Sequence, residues 1–538
     1  MSVDEPCVVG INFGHDGGAA LLTPTRMVAI GEERLNRSRY SPGWQASLLY
    51  CLRAAGLRLS DVDLVVASNY GQQITVAETG LSFLGVPDDR VRVVDHHLSH
   101  AYTAFCLSEF THATVIVADG GGNNTDTETY YAGTPDGLVR LGGNDPGRPR
   151  AGAIGATYEA FTEYLGWNFQ EAGKTMALAS FGDPTTFADV LFDVVDGRVT
   201  GRLDQTHARG VVEYARRHGL DFGPLGSLGA DQRGIEAAAF LQAEVERALC
   251  ALVTQNVAEV GYDNVCLAGG VALNCVANDR IRRLPGVADL FVPPAASDRG
   301  QALGNALYGM HLLTGELPRP AFRSDSLGRA YSDAEIELTL RRDPRSGLVE
   351  RRFAPFSYRR ESDIAACAAQ LIADGKLIGW FTGGSELGPR ALGYRSMLAD
   401  PRTVESRDAL NNRIKHREPF RPFAPAVLVE RSTDWFELDG PSPFMLLAPA
   451  VRPERRDAIP GVVHVDGTAR VQTVDPAVAP QFGALIEHFE KITGVPVVLN
   501  TSFNDREPIV ETPADALATF QDSDLDALCL GDYLVEKV

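Results

Sequence analysis

The residues best equipped for chemistry begin at Asp95-His96-His97-Leu98-Ser99-His100. This run follows a β-type stretch, 91–94, and opens an apolar, helix-compatible one, 101–107, so His96 and His100 fall one helical turn apart on one face. Two imidazoles so placed either share a metal ion or form a structural pair, and the spacing alone does not choose between them. A zinc-protease pattern is not met, because His97 stands where the general-base glutamate would be. The company of the histidines favours metal. Asp119 starts an Asp-Gly-Gly-Gly turn after the strand-like run 113–118, and Asp298 lies in a second loop at a helix entrance, where the competing role is that of a cap. Two histidines with two aspartates make a mixed nitrogen and oxygen site, suited to iron, manganese or zinc rather than to magnesium alone.

The elements that must position these residues read as α/β. Residues 8–13 form a strand, and Gly14-His15-Asp16-Gly17-Gly18 a tight hairpin turn in which glycines let backbone amides approach an anion. The pattern recurs: a strand ending at Ala118, the turn Asp119-Gly120-Gly121-Gly122, and a return strand over 127–131. A third strand, from Asn264, enters the Gly269-Gly270 turn and a helix after Asn274. Gly120, Gly121, Gly269, Gly270 and Asn274 are therefore the expected nucleotide contacts. Two such hairpins separated by helical material resemble a duplicated fold of the actin, heat-shock-chaperone and sugar-kinase kind. Gly173-Lys174-Thr175 lacks the upstream glycines and preceding strand of a Walker A loop and reads as a helix start lining a cleft.

At 538 residues the chain is long enough for two or three domains, and 44% hydrophobic with 22% charged residues is an ordinary globular balance. No apolar run approaches the roughly 18 residues of a membrane span, and the first residues lack a basic segment followed by an apolar one, so no membrane contact and a cytoplasmic location are expected. A formal charge of -20 opposes nucleic-acid binding and requires any phosphate site to be a local basic pocket. The eight cysteines are scattered without a Cys-x-x-Cys pair, which reads as reduced, buried thiols.

Residues 316–360, rich in proline and paired arginines, contain the expected domain junction and divide the chain into 1–345 and 346–538. Beyond it, a strand at 377–381 leads into the glycine-punctuated loop that holds Arg390. Lys415-His416-Arg417-Glu418-Pro419-Phe420-Arg421-Pro422-Phe423 interleaves cations with rings that hold them against apolar surface. Cations held rigidly in an acidic protein make a phosphate pocket. Arg470 adds another, and the strand 497–499 delivers Asn500 and Ser502, whose short polar side chains suit a small planar ligand.

Gly14-His15-Asp16-Gly17, His96 to Ala101, Asp119 to Gly122, Gly269 to Asn274, Gly388-Pro389-Arg390-Ala391-Leu392-Gly393, the run 415–425, and Asn500 to Asn504 together resemble the O-carbamoyltransferase family. That family includes nodulation-factor, cephalosporin, aminoglycoside and ansamycin carbamoyltransferases. One departure is Arg39-Tyr40, where members often carry Lys-His. The resemblance implies an N-terminal domain similar to the threonylcarbamoyl-transferring tRNA-modification proteins, of the actin and chaperone class, and a C-terminal α/β domain similar to YrdC. His96, His100, Asp119 and Asp298 would then ligate a divalent metal, Fe2+ by preference with Zn2+ or Mn2+ as alternatives. Arg390, Lys415, Arg421, Arg470, Asn500 and Ser502 would bind carbamoyl phosphate and ATP with its Mg2+. The implied reaction is two-step: carbamoyl-adenylate forms in the C-terminal domain, and the carbamoyl group passes in the N-terminal one to a hydroxyl of a secondary metabolite or its sugar. His15 is the general base expected there, with Asp16 orienting it. A small-molecule acceptor is expected, with homodimer assembly left open. The alternatives are carbamoylation of a tRNA or protein, or a non-catalytic nucleotide-binding regulatory or chaperone-like role.

Overall fold

A computed structural model describes residues 5–144, 150–341 and 354–538. The chain divides into two compact units, one of residues 1–32 with 42–322 and one of residues 33–41 with 323–538. The sequence boundary at 345–346 lies outside the described residues. Residues from 323 onward already pack with the second unit: Leu387 donates its amide to the Asp325 carbonyl at 3.1 Å, and Ile336 and Leu340 enter that unit's core.

In the first unit, β1 (Val8–Asn12), β2 (Gly18–Thr23), β3 (Arg26–Gly31), β4 (Leu64–Ser68) and β5 (Val91–Val93) form a sheet of order β3-β2-β1-β4-β5. The hairpin strands pair antiparallel, and β1, β4 and β5 run parallel. A second sheet repeats the plan. It contains β6 (Ala113–Ala118), β7 (Glu128–Thr134) and β8 (Gly137–Gly143), then β11 (Asn264–Ala268) and β12 (Asp289–Phe291), in the order β12-β11-β6-β7-β8. The intervening β9 (Phe192–Val195) and β10 (Arg198–Gly201) form a separate hairpin. Two sheets of one order and one strand polarity are the duplicated nucleotide-binding fold that the paired glycine turns foretell. A long helix, Gln232–Val260, precedes β11 in the chain.

Close helix packing brings the metal-type residues together. A Cβ placed on Gly304 would lie 2.1 Å from the Ser99 carbonyl oxygen, so the helices His96–Leu107 and Gln301–Thr314 approach to a distance that only glycine permits.

The second unit is built on one mixed sheet of β13 (Phe356–Arg360), β14 (Ile378–Phe381), β15 (Arg395–Ala399), β16 (Ala424–Leu428), β17 (Gln472–Val474), β18 (Val497–Ser502), β19 (Ala527–Leu530) and β20 (Tyr533–Lys537). Its order is β13-β20-β19-β14-β15-β18-β16-β17. The strand expected over 497–499 runs on to Ser502, which puts Asn500 and Ser502 on one sheet face, two residues apart. Among the described residues, no helix is long and apolar enough to cross a membrane.

Candidate functional site: a buried His/Asp cluster and an arginine cluster

The helix His96–Leu107 begins where Asp95 accepts a hydrogen bond from the Leu98 amide at 3.0 Å, and this cap sets the register that turns His96 and His100 to one side. Both are buried, with Asp119 from the end of β6 and Asp298 from the loop before the helix Gln301–Thr314. Asp298 makes no capping bond there; its carboxylate faces the histidines. His96 Nε2 stands 3.4 Å from Asp119 Oδ2 and 3.3 Å from Asp298 Oδ1, and His100 Nε2 stands 3.1 and 3.2 Å from the same two oxygens. A first-row ion with bonds of about 2.1 Å separates neighbouring ligand atoms by about 3.0 Å in octahedral and about 3.4 Å in tetrahedral geometry. The four donors fit such an ion.

Polar neighbours fix Asp119 and His96 in place. Asp119 Oδ1 accepts the amides of Gly120 at 2.7 Å and Gly270 at 3.2 Å, leaving Oδ2 for the histidines. Gly269, at φ +88°, brings that turn so near β6 that a Cβ would lie 2.2 Å from the Ala118 carbonyl oxygen. Asn123 Oδ1 accepts the His96 amide at 2.8 Å, and Gln301 Nε2 donates to the His96 carbonyl at 3.0 Å. His97 turns away, its Nδ1 2.8 Å from Thr129 Oγ1.

His15 joins from the β1–β2 turn, its Nε2 3.4 Å from Asp298 Oδ2 and its Nδ1 3.7 Å from Asp16. Asn12, which sequence reading passed over, ties that turn to the Asp298 loop: its buried amide lies 3.3 Å from each of the carbonyls of His15, Asp16 and Asp298. Tyr70, Arg150 and Glu159 were missed too. The Arg150 guanidinium lies 5.5 Å from the Tyr70 ring centre, donates to Glu159 at 2.7 Å and also donates to the Gly120 carbonyl. Burial pushes the Glu159 carboxyl up to about 7. No local pattern announces these residues, because three separate segments supply them. Of the expected nucleotide contacts, Gly120 and Gly270 spend their amides on Asp119. Asn274 caps the helix Cys275–Arg282, accepting from Ala277 at 3.1 Å, and exchanges hydrogen bonds with Gln242.

The cluster's charge has a measurable consequence. Burial opposes protonation of His96, but the carboxylates of Asp298 and Asp119 outweigh it and raise its pKa to about 10. The hydrogen bond to Asp16 raises His15 to about 9 against the effect of burial. Folded-state values above the unfolded imidazole value of about 6.5 mean that the metal-free protein loses stability as pH rises from there towards 10. A metal competes with those same protons, so its affinity rises over the same range. Urea unfolding and metal titration between pH 6 and 10 should therefore show opposite slopes.

In the second unit, burial and the charges of Arg421, Arg470 and Arg390 lower the Arg417 pKa, and burial with the charges of Arg417 and Arg421 lowers that of Lys415. The run that carries Lys415, Arg417 and Arg421 follows a short π-helical turn, Asn411–Lys415, and turns sharply at His416, whose φ is +46°. Such irregular backbone commonly marks a functional loop. Lys415 Nζ donates to the carbonyl and Oδ1 of Asn504, at 2.6 and 2.9 Å, and to the Ser502 carbonyl. Its three protons thus hold the strand end that carries Ser502. Asn500 donates to the Ala391 carbonyl at 3.1 Å and to Gln472 at 2.8 Å, which ties β18 to the Arg390 loop. Arg39, at the position of the family departure, donates to the Glu507 carbonyl at 3.4 Å within this unit.

Comparison with known proteins bears on both clusters. The family models described as carbamoyltransferase N-terminus and carbamoyltransferase C-terminus match residues 76–307 and 369–537. Nodulation protein NolNO of Sinorhizobium fredii is 35% identical, over 98% of this chain and 79% of its own. Nodulation protein NolO of Bradyrhizobium diazoefficiens is 36% identical, over 82% of this chain and 79% of its own. Among solved structures, HypF of T. kodakarensis aligns with 59% of this chain and 49% of its own at 15% identity and a TM-score of 0.36.

Proposed function

From the premise that this chain belongs to the carbamoyltransferase family, we propose that it moves the carbamoyl group of carbamoyl phosphate, with ATP and through carbamoyl-adenylate, to a hydroxyl of a small secondary metabolite. The observation that carries the reading is the pairing of a buried His/Asp cluster in one unit with an arginine cluster in the other. The two chemistries differ accordingly. Carbamate, formed with phosphate when carbamoyl phosphate takes up water, attacks the α-phosphorus of ATP; the products are carbamoyl-adenylate and pyrophosphate. Arg390, Arg421 and Arg470 would hold these oxyanions and stabilise charge on the transferring phosphoryl group. In the second step the acceptor oxygen bonds to the carbamoyl carbon, the C–O bond to AMP breaks, and AMP leaves.

A carbamoyl group is a poor electrophile and an alcohol a poor nucleophile, so both need activation. His15, the most exposed imidazole of the cluster, receives the hydroxyl proton in its neutral form, which a cation held by the neighbouring Asp298 and Asp119 would favour over the protonated one, and Asp16 orients the ring. His96, His100, Asp119 and Asp298 are the residues that would hold a divalent ion, Fe2+ in preference to Zn2+ or Mn2+, which supplies Lewis-acid polarisation and neutralises the nucleotide phosphate. The net charge of -20 favours a small acceptor over tRNA.

The test is to incubate the protein with ATP, Mg2+, carbamoyl phosphate and a panel of hydroxylated natural products, reading masses. A carbamoyl increment that needs both co-substrates is expected. Carbamoyl-phosphate-dependent AMP formation absent from the metal-loaded protein would refute the reading.

A further inference from the structure

A cleft of about 590 Å3 in the first unit is lined by Arg150, Asp204, Gln205, Thr206, His207 and Arg209, a volume in the range of small-molecule sites. The helix Ile154–Tyr164 fixes two of these residues through Glu159 and Glu163, which lie one turn apart on it. Glu159 accepts from Arg150 at 2.7 Å. Glu163 stands 3.0 Å from His207 Nδ1 and accepts the Ala208 amide at 3.1 Å, which holds His207 at a φ of +65° that side chains rarely adopt. Asp204 is paired with Arg217. The groups left for a ligand are Gln205, Thr206 and Arg209: Thr206 makes no side-chain capping bond to the helix His207–His218, and Arg209 has no acidic partner among the described residues.

The cleft lies one side chain away from the His/Asp cluster. Arg150, in its wall, donates to the carbonyl of Gly120, next to Asp119, and its guanidinium lies 5.5 Å from the Tyr70 ring centre. That ring is in turn 5.8 Å from the His15 ring and 5.9 Å from the His96 ring.

We infer that this cleft is the acceptor site and takes a neutral, hydroxyl-rich molecule of sugar type, whose reacting hydroxyl passes Arg150 to reach His15. Ala151 is the apolar residue among the described lining, so a large apolar macrocycle finds little to bury against. The unpaired charge of Arg209 repels a polycation. The Thr206 hydroxyl and the Gln205 amide each donate and accept, as sugar hydroxyls do. The inference rests on the carbamoyl transfer proposed above and names the acceptor's chemical class and its place.

Saturation-transfer NMR on the Zn2+-loaded full chain tests it with three kinds of probe: the neutral disaccharides maltose, sucrose and cellobiose, the polycation kanamycin, and the macrolide erythromycin. At least one disaccharide should bind, and the other two probes should not. Gln205→Ala and Arg209→Ala alter exposed side chains, so both should release pyrophosphate from ATP and carbamoyl phosphate as wild type does. Each should weaken the bound disaccharide about fivefold or more. A disaccharide held equally by wild type and both variants would overturn the inference, as would binding of kanamycin or erythromycin instead, or of none of the probes. In those cases wild-type pyrophosphate release leaves the proposed function standing. Disaccharide binding by a wild-type protein that releases no pyrophosphate would instead displace the proposed function, and the acceptor role with it.

Discussion

His100→Ala should strip the protein of bound transition metal and abolish carbamoyl transfer while leaving pyrophosphate release from ATP and carbamoyl phosphate in place. His100 Nε2 stands 3.1 and 3.2 Å from the two carboxylates, so its loss removes one of four donors and a partner of two buried anions at once. Losing even a residue behind a metal ligand typically weakens metal binding about 10–100-fold, and losing a ligand costs more. Breaking a buried charge pair by removing one member costs about 3–5 kcal/mol, so the metal-free variant should also unfold at lower denaturant. His97→Gln is the control. His97 is as buried as its neighbour but bonds to Thr129, so this variant should keep full metal content. Elemental analysis of the purified variants reads both outcomes; a fully metallated His100→Ala would remove the site as described.

Arg34→Met should produce the other large effect, in the second unit. Arg34 is 1% exposed, donates to the Gly388 carbonyl at 2.7 Å, and shares its surroundings with Asp325 and Glu386, each also 1% exposed. Asp325 accepts the Gly388 amide at 2.8 Å, and Glu386 accepts the amides of Leu392, Tyr394 and Arg395 at 2.7, 3.1 and 3.3 Å. The loop that presents Arg390 is thereby clamped from both ends. Without the cation two buried carboxylates face each other, and a loss of about 3–5 kcal/mol is expected. Burial, reinforced by the charge of Glu386, already raises the Asp325 pKa well above the usual carboxylate range. An acid raised in the folded state binds more protons there than in the unfolded chain, so the stability it contributes falls as pH rises. The deficit in Arg34→Met should therefore shrink towards acid pH, and chemical denaturation at two pH values checks it.

What could be read from the residues follows the range of the interactions. His96 and His100 were legible because one helical turn relates them, and Asp119 because a strand ending in an acid and three glycines is a local pattern. The capping role open to Asp298 is not taken, since a helix entrance alone does not say which way a carboxylate turns. The duplicated sheets were visible as paired glycine hairpins, whereas the packing of residues 33–41 with the second unit was not. That packing depends on Arg34 and on Arg37, which donates to the Ile509 carbonyl at 2.7 Å, and both partners lie hundreds of positions away. Asn274, expected as a nucleotide contact, caps a helix, a role that its pattern in the sequence equally allows. Lys415 and Arg417 sit two residues apart in one basic run. Composition could not say which of them had free donors, because the answer depends on the carbonyls of Ser502 and Asn504 across the sheet.

The central claim is that activation and transfer are separate steps run by separate units, and a paired assay of His15→Ala and Arg390→Ala tests it most directly. Pyrophosphate release from ATP and carbamoyl phosphate is measured for each, together with transfer to an acceptor from chemically supplied carbamoyl-adenylate. His15→Ala should still release pyrophosphate and fail at transfer; Arg390→Ala should fail to release pyrophosphate and still transfer from the supplied intermediate. Equal loss of pyrophosphate release in both, with co-substrate binding intact, would mean that one site performs both steps and would contradict the account.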